Sequence, residues 1–123
     1  MVLIDTSIWI DHIRTSDEVL TELLDGARLS MHPFIMGELA IGHLPDRQRI
    51  MRDLHRLPQM AVATPHEVLH LVERHRLFGL GIGYVDANLL ASTKLTPGAS
   101  LWTRDKRLRA AAQALSLDAK TTH

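Results

Sequence analysis

Four short apolar runs constrain this chain more than any other feature: residues 2–5 (VLID), 28–32 (RLSMH), 60–63 (MAVA) and 100–103 (SLWT). Each is too short for a helix, and the apolar residues stand side by side instead of alternating with polar ones. That pattern marks strands buried on both faces. Longer segments of helical period separate the runs. Strands alternating with helices fold as a parallel sheet covered on both sides, so the chain is predicted to be α/β. The expected architecture is a three-layer α/β/α sandwich with a central, mainly parallel sheet, in a single domain over residues 1–123.

The punctuation places the helices. Ser16 is the expected cap of a helix over 16–26, with Val19, Leu20, Leu23 and Leu24 as its apolar stripe. Pro33 stands at a first-turn position and opens the helix PFIMGELAIG. Pro45 opens another, carrying Ile50, Leu54 and Leu57 on one side. Thr64 and Glu67 form a capping box for a helix that runs to about Phe78. After the glycine-rich loop GLGIG (79–83) a helix is predicted from Tyr84 to Lys94, and another over 105–115. Residues 118–122 read as a weak edge strand.

Composition removes several classes. Cysteine is absent, so disulfides and thiolate zinc sites are excluded. The apolar start is too short for a membrane span or a signal peptide, which predicts a cytoplasmic protein with no membrane association. Formal net charge is zero, against a blanket basic surface. Yet 11 of the 14 basic residues are arginines, clustered at Arg47, Arg49, Arg52 and Arg56 and again at Arg104, Lys106, Arg107 and Arg109. Forked arginine donors suit phosphate, and they equally suit a solvated helix face.

Ligands of open α/β sheets bind beyond the carboxyl ends of the strands. Asp5 closes the first strand, and Asp105 lies two residues past Thr103. Asp86 falls in the first turn of the helix after the glycine-rich loop, and Glu38 interrupts the apolar FIMGELAIG. Taken singly, each has a structural role as a cap or a solvent-facing acid. Together they are costly, because two carboxylates ~5 Å apart repel by about 3 kcal/mol at an effective dielectric near 20. A divalent cation removes that cost, and an all-oxygen donor set suits Mg²⁺ or Mn²⁺ better than zinc. Such an ion favours phosphodiester hydrolysis.

HEVLH (66–70) matches the H-E-x-x-H pattern of zinc peptidases. Against that reading, Glu67 is already the capping-box residue, the stripe Val68, Leu71, Val72 and His75 turns the pair outward, and no third ligand follows at a recognised spacing. A phosphatase with a D-x-D pair after its first strand lacks its second acid, since Ser7 stands there. A non-catalytic module that binds RNA or a partner is a further alternative, disfavoured because all four acids are present.

LIDTSIWID, GELAIG, GIGYVDANLLAS and LWTRDKRL, in this order and spacing from Val2 to about Leu117, resemble the PIN domain, and specifically the VapC ribonuclease toxins of toxin–antitoxin pairs. The resemblance implies a metal-dependent endoribonuclease acting on tRNA or ribosomal RNA. It implies that Asp5, Glu38, Asp86 and Asp105 hold one or two Mg²⁺ or Mn²⁺ ions, with Ser7 and Thr103 as supporting hydroxyls. It further implies a homodimer silenced by a cognate VapB-type antitoxin. With the acids so placed, Arg104, Lys106 and Arg107 become candidate RNA contacts.

Overall fold

A computed structural model describes residues 1–120. Its sheet has three parallel strands, β1 (Val2–Ile4), β2 (Leu29–Ser30) and β3 (Ser100–Trp102), in the order β2-β1-β3. Val2 lies opposite Leu29 on one side and Ser100 on the other. Isolated parallel bridges, Met31 to Gln59 and Leu101 to Asp118, widen the sheet at both edges. Seven helices flank it: α1 (Thr6–Arg14), α2 (Glu18–Asp25), α3 (Pro33–Ile41), α4 (Arg47–His55), α5 (Pro65–Arg74), α6 (Tyr84–Leu95) and α7 (Lys106–Ala114). The expected α/β architecture is therefore present.

The connections determine which face each helix covers. From β1 the chain steps outward to β2 and on to Gln59; it then crosses back to β3 and steps outward to Asp118. Right-handed crossovers running in opposite directions lay their helices on opposite faces, so α1–α4 cover one side and α5–α7 the other. Contacts of α1 with α3, α3 with α4, and α5 with α6 follow that division. The direction reverses between β1 and β3, and a crevice opens there beyond the carboxyl ends of the strands.

One buried cluster fills the space between the layers. Leu3, Ile4, Leu29, Leu101 and Trp102 from the strands meet Ile8, Leu20, Ile35, Val68, Leu89 and Leu108 from the helices. Trp9 is in this core, 3% exposed. The middle of α6 is buried all round from Ala87 to Thr93, which is why its sequence lacks a clear polar face.

Several boundaries differ from expectation. No strand forms at 60–63. Instead Met31 N–H donates to Pro58 O and Met60 N–H to Met31 O, leaving a single bridge at Gln59. The cause is Pro33, which starts α3 and ends the neighbouring β2 before a ladder can grow. The 118–122 edge is likewise reduced to the bridge at Asp118, and residues 121–122 of that prediction lie outside the described residues. Asp17, not Ser16, caps α2, its Oδ1 accepting from Leu20 N at 3.0 Å. Pro45 stays outside α4, which begins only after Asp46 adopts a left-handed conformation. The helix at Thr64 stops at Arg74, because Arg76 turns to φ 53°. Helix α1 follows Asp5, which the sequence allows as a cap, although no helix was expected at a stated range there.

Candidate active site

Asp5 follows β1 and is the N-cap of α1, its Oδ1 accepting from Thr6 N at 2.8 Å. Its other oxygen, Oδ2, accepts from the Thr103 hydroxyl at 2.7 Å. The same hydroxyl accepts from Asp105 N at 3.1 Å, so one buried threonine ties the ends of β1 and β3 together. Asp105 in turn caps α7, with Oδ1 accepting from Leu108 N at 2.9 Å. Both aspartates are thus the caps that sequence alone allows, at the carboxyl ends of β1 and β3. The cap is a means of orientation here.

The other two acids come from opposite layers. Glu38 lies on α3 and is exposed; Oε1 accepts from the Thr6 hydroxyl at 2.6 Å. Asp86, in the first turn of α6, turns back so that Oδ2 accepts from Gly83 N at 3.1 Å. Burial pushes the Asp86 carboxyl above the ordinary aspartate range. The Gly83 bond opposes that rise, while the negative charges of Asp5, Asp105 and Glu38 add to it. Four residues separated by up to 100 positions in sequence therefore share one electrostatic neighbourhood.

Their charge is not neutralised from within. Among the described residues no salt bridge involves Asp5, Glu38, Asp86 or Asp105. Arg104, next to Asp105, turns away to pair with Asp11 and, at 3.5 Å, with Asp17. An uncompensated all-oxygen cluster with two hydroxyls beside it fits a hard divalent cation. As the side chains stand, no three histidines or acids among the described residues come close enough together to hold a metal ion. Mg²⁺ tolerates that, because it keeps several waters and takes only one or two carboxylates directly.

The remaining candidates are placed unevenly. Thr103 is at the centre, 3% exposed. Ser7 is exposed in the first turn of α1, and it is Thr6 that reaches an acid. Thr6 was not among the candidates expected from sequence, yet its hydroxyl is the one in contact with Glu38. Its signal was present in the doubled hydroxyl of D-T-S, but only the entry angle of α1 decides which hydroxyl faces α3. Lys106 is exposed at the start of α7. Arg107 lies across Gly81, where a Cβ would stand 2.5 Å from its Nη1; with φ at +78° that position accepts only glycine without strain. Arg104 is committed to its two aspartates. Asn88 is buried and donates to Tyr84 O at 2.9 Å.

The HEVLH histidines stand apart from this crevice, exposed on α5. Glu67 accepts from Thr64 N at 2.9 Å while Thr64 accepts from Glu67 N at 3.2 Å. A carboxylate tied down in a capping box is poorly placed to serve as a peptidase base.

The model of the PIN domain matches residues 2–114. The chain is 51% identical over 111 residues to "Ribonuclease VapC32" of Mycobacterium tuberculosis, in both strain CDC 1551 / Oshkosh and strain ATCC 25618 / H37Rv, and the match spans 90% of each chain.

Proposed function

Because this chain belongs to the PIN-domain family, we propose that it is a metal-dependent endoribonuclease, the toxin of a VapBC-type toxin–antitoxin pair. One observation carries the reading: acids from four segments of the chain share one electrostatic neighbourhood, and among the described residues no cation is paired to them. The ribonuclease name of a relative sharing half its residues supports the same conclusion.

In this proposal Asp5, Glu38, Asp86 and Asp105 hold one or two Mg²⁺ or Mn²⁺ ions. When bound, such ions polarise phosphate oxygens and acidify water. The chain's own residues do the positioning. Thr103 holds Asp5 and the Asp105 backbone in one arrangement, Thr6 holds Glu38, and the Gly83 amide holds Asp86. Arg107 and Lys106 flank the crevice on the side of α7 and grip the substrate backbone, while Arg104 braces α1 and α2. The reaction is hydrolysis of an RNA phosphodiester, in tRNA or ribosomal RNA, leaving a 5′-phosphate and a 3′-hydroxyl. The working unit is a cytoplasmic, single-domain homodimer silenced by a VapB-type antitoxin. No described helix is long and apolar enough to cross a membrane.

Purified protein is expected to cut RNA with Mn²⁺ and to stop with EDTA. Cleavage that persists in Asp5→Ala would remove the acidic cluster from the reaction. RNA retained but never cut would favour the non-catalytic module.

A further inference from the structure

One of the two most capacious concavities among the described residues lies away from the acids. A concavity of about 470 Å³ lies between α5 and α6. Its size falls within the range of small-ligand sites, ~300–1,000 Å³. Leu71 and the partly exposed Leu95 provide apolar floor, and the rim carries His66, His70 and Arg74 from α5, His75 at its C-cap and Lys94 from α6. Glu67 is the only acid in the lining, and its carboxylate is held by the Thr64 amide in the capping box. Among the described residues, the side chains of Arg74, Lys94, His70 and His75 have no hydrogen bond or ion pair.

Two cations and three imidazoles around one hollow, with a single committed acid, form the electrostatic opposite of the crevice between β1 and β3. The i, i+4 spacing puts His66 and His70 on one helix face, which by itself also suits a soft divalent metal. Arg74 follows His70 by a further four residues on the same face, and Lys94 approaches from the other helix. Two permanent positive charges repel a metal ion and attract an anion. Imidazole and guanidinium planes over an apolar floor stack on bases, and Arg74 and Lys94 meet phosphate.

We propose that this concavity binds a nucleotide of single-stranded RNA at a distance from the scissile bond, and so extends the substrate site along α6. The proposal rests on the ribonuclease reading above. The helix links the two places directly. Asp86 stands in its first turn and Lys94 in its last, eight residues apart, or ~12 Å along the axis. HEVLH thereby has a function that is neither zinc binding nor peptidolysis: its histidines line a nucleotide site.

The test compares the native protein with the double variant Arg74→Gln/Lys94→Gln, both positions being exposed, using a fluorescein-labelled single-stranded RNA in EDTA so that binding is read without cleavage. The variant is expected to bind about fivefold or more weakly, with the slope of log K against log salt shallower by about 1.4, two phosphate contacts at ~0.7 each. His66→Gln/His70→Gln is expected to weaken binding without changing that slope, which a loss of stacking predicts and a loss of charge does not. Equal RNA affinity and slope in native protein and Arg74→Gln/Lys94→Gln would overturn the proposal. So would a Zn²⁺-induced rise in Tm abolished by His66→Gln/His70→Gln, which assigns the hollow to a cation. Cleavage by the native protein in Mn²⁺ is measured in parallel. Its absence defeats the ribonuclease reading, whereas loss of the binding difference with cleavage intact defeats only the distant site.

Discussion

Thr103→Val is the most informative single substitution in this protein, because it removes one oxygen and leaves the shape. The Thr103 hydroxyl donates to Asp5 Oδ2 at 2.7 Å and accepts from Asp105 N at 3.1 Å. A hydrogen bond to a charged group contributes about 1.5–3 kcal/mol and a neutral one about 0.5–1.5. Asp5 is half-buried and Asp105 exposed, so water recovers part of both losses. The net destabilisation expected is about 2 kcal/mol. For a domain of this size that lowers Tm by roughly 8 °C, at about 4 °C per kcal/mol. The kinetic effect has a different origin. Asp5 loses the bond that orients its second oxygen toward the crevice, and RNA cleavage at saturating Mn²⁺ is expected to fall by about tenfold or more, ~1.4 kcal/mol in the barrier. Thr103→Ser separates the two effects. It keeps the hydroxyl and deletes a buried methyl, so it costs ~1 kcal/mol of stability while cleaving within about threefold of the native protein. Urea unfolding and single-turnover cleavage measure both quantities on the same preparations. Native-like cleavage by Thr103→Val, or equal losses of cleavage in the valine and serine variants, would refute Thr103 as the residue that positions Asp5.

Other expectations follow from the same site and from the core. Asp86→Asn is expected to abolish cleavage yet raise Tm at pH 7.5, because it removes a carboxylate whose pKa is raised by burial and by its acidic neighbours. A native state that binds protons more tightly than the unfolded chain loses stability as pH rises, so the Asn advantage should shrink on acidification toward pH ~4. Mn²⁺ should raise the Tm of the native protein more than that of Asp86→Asn, by mass action on the folded state, and equal shifts would place the metal elsewhere. His32 is fully buried, Nδ1 accepting from Phe34 N and Nε2 facing the Ser92 hydroxyl, and burial lowers its pKa. The unfolded chain then binds the extra proton first, so stability falls as pH drops through about 6.5, and His32→Asn should flatten that limb in denaturant titrations. Thr64→Ala is expected to cost ~1 kcal/mol by breaking the capping box of α5, with cleavage retained.

The alternation of strands and helices could be read from the sequence because it depends on local chemistry. Pro33, the Thr64–Glu67 box and the unbroken apolar runs act within a few residues of themselves, and the structure has helices and strands where they point. Elsewhere, packing from a distance decides what local signals leave open. MAVA has the composition of a strand, but β2 beside it is ended by Pro33, so nothing remains for it to pair with beyond Met31. Ser7 and Thr6 are equivalent hydroxyls in sequence, and only the packing of α1 against α3 turns Thr6 to Glu38. Arg104 reads like its neighbour Arg107, yet Asp11 and Asp17 reach it across the fold while Arg107 settles on Gly81.

By itself, then, the sequence determined which residues bring carboxylates to the ends of the strands, and in which elements they sit, because aspartate at a strand end is a property of a short segment. What the tertiary structure alone decided is that those carboxylates share one electrostatic neighbourhood. The crossover direction reverses between β1 and β3, which brings the ends of two strands separated by some 100 residues to one crevice and lets a single threonine hydroxyl join them. The same reversal assigns Glu38 to one layer and Asp86 to the other, and the charge of Glu38 still reaches the Asp86 carboxyl. No pattern along the chain encodes that distance.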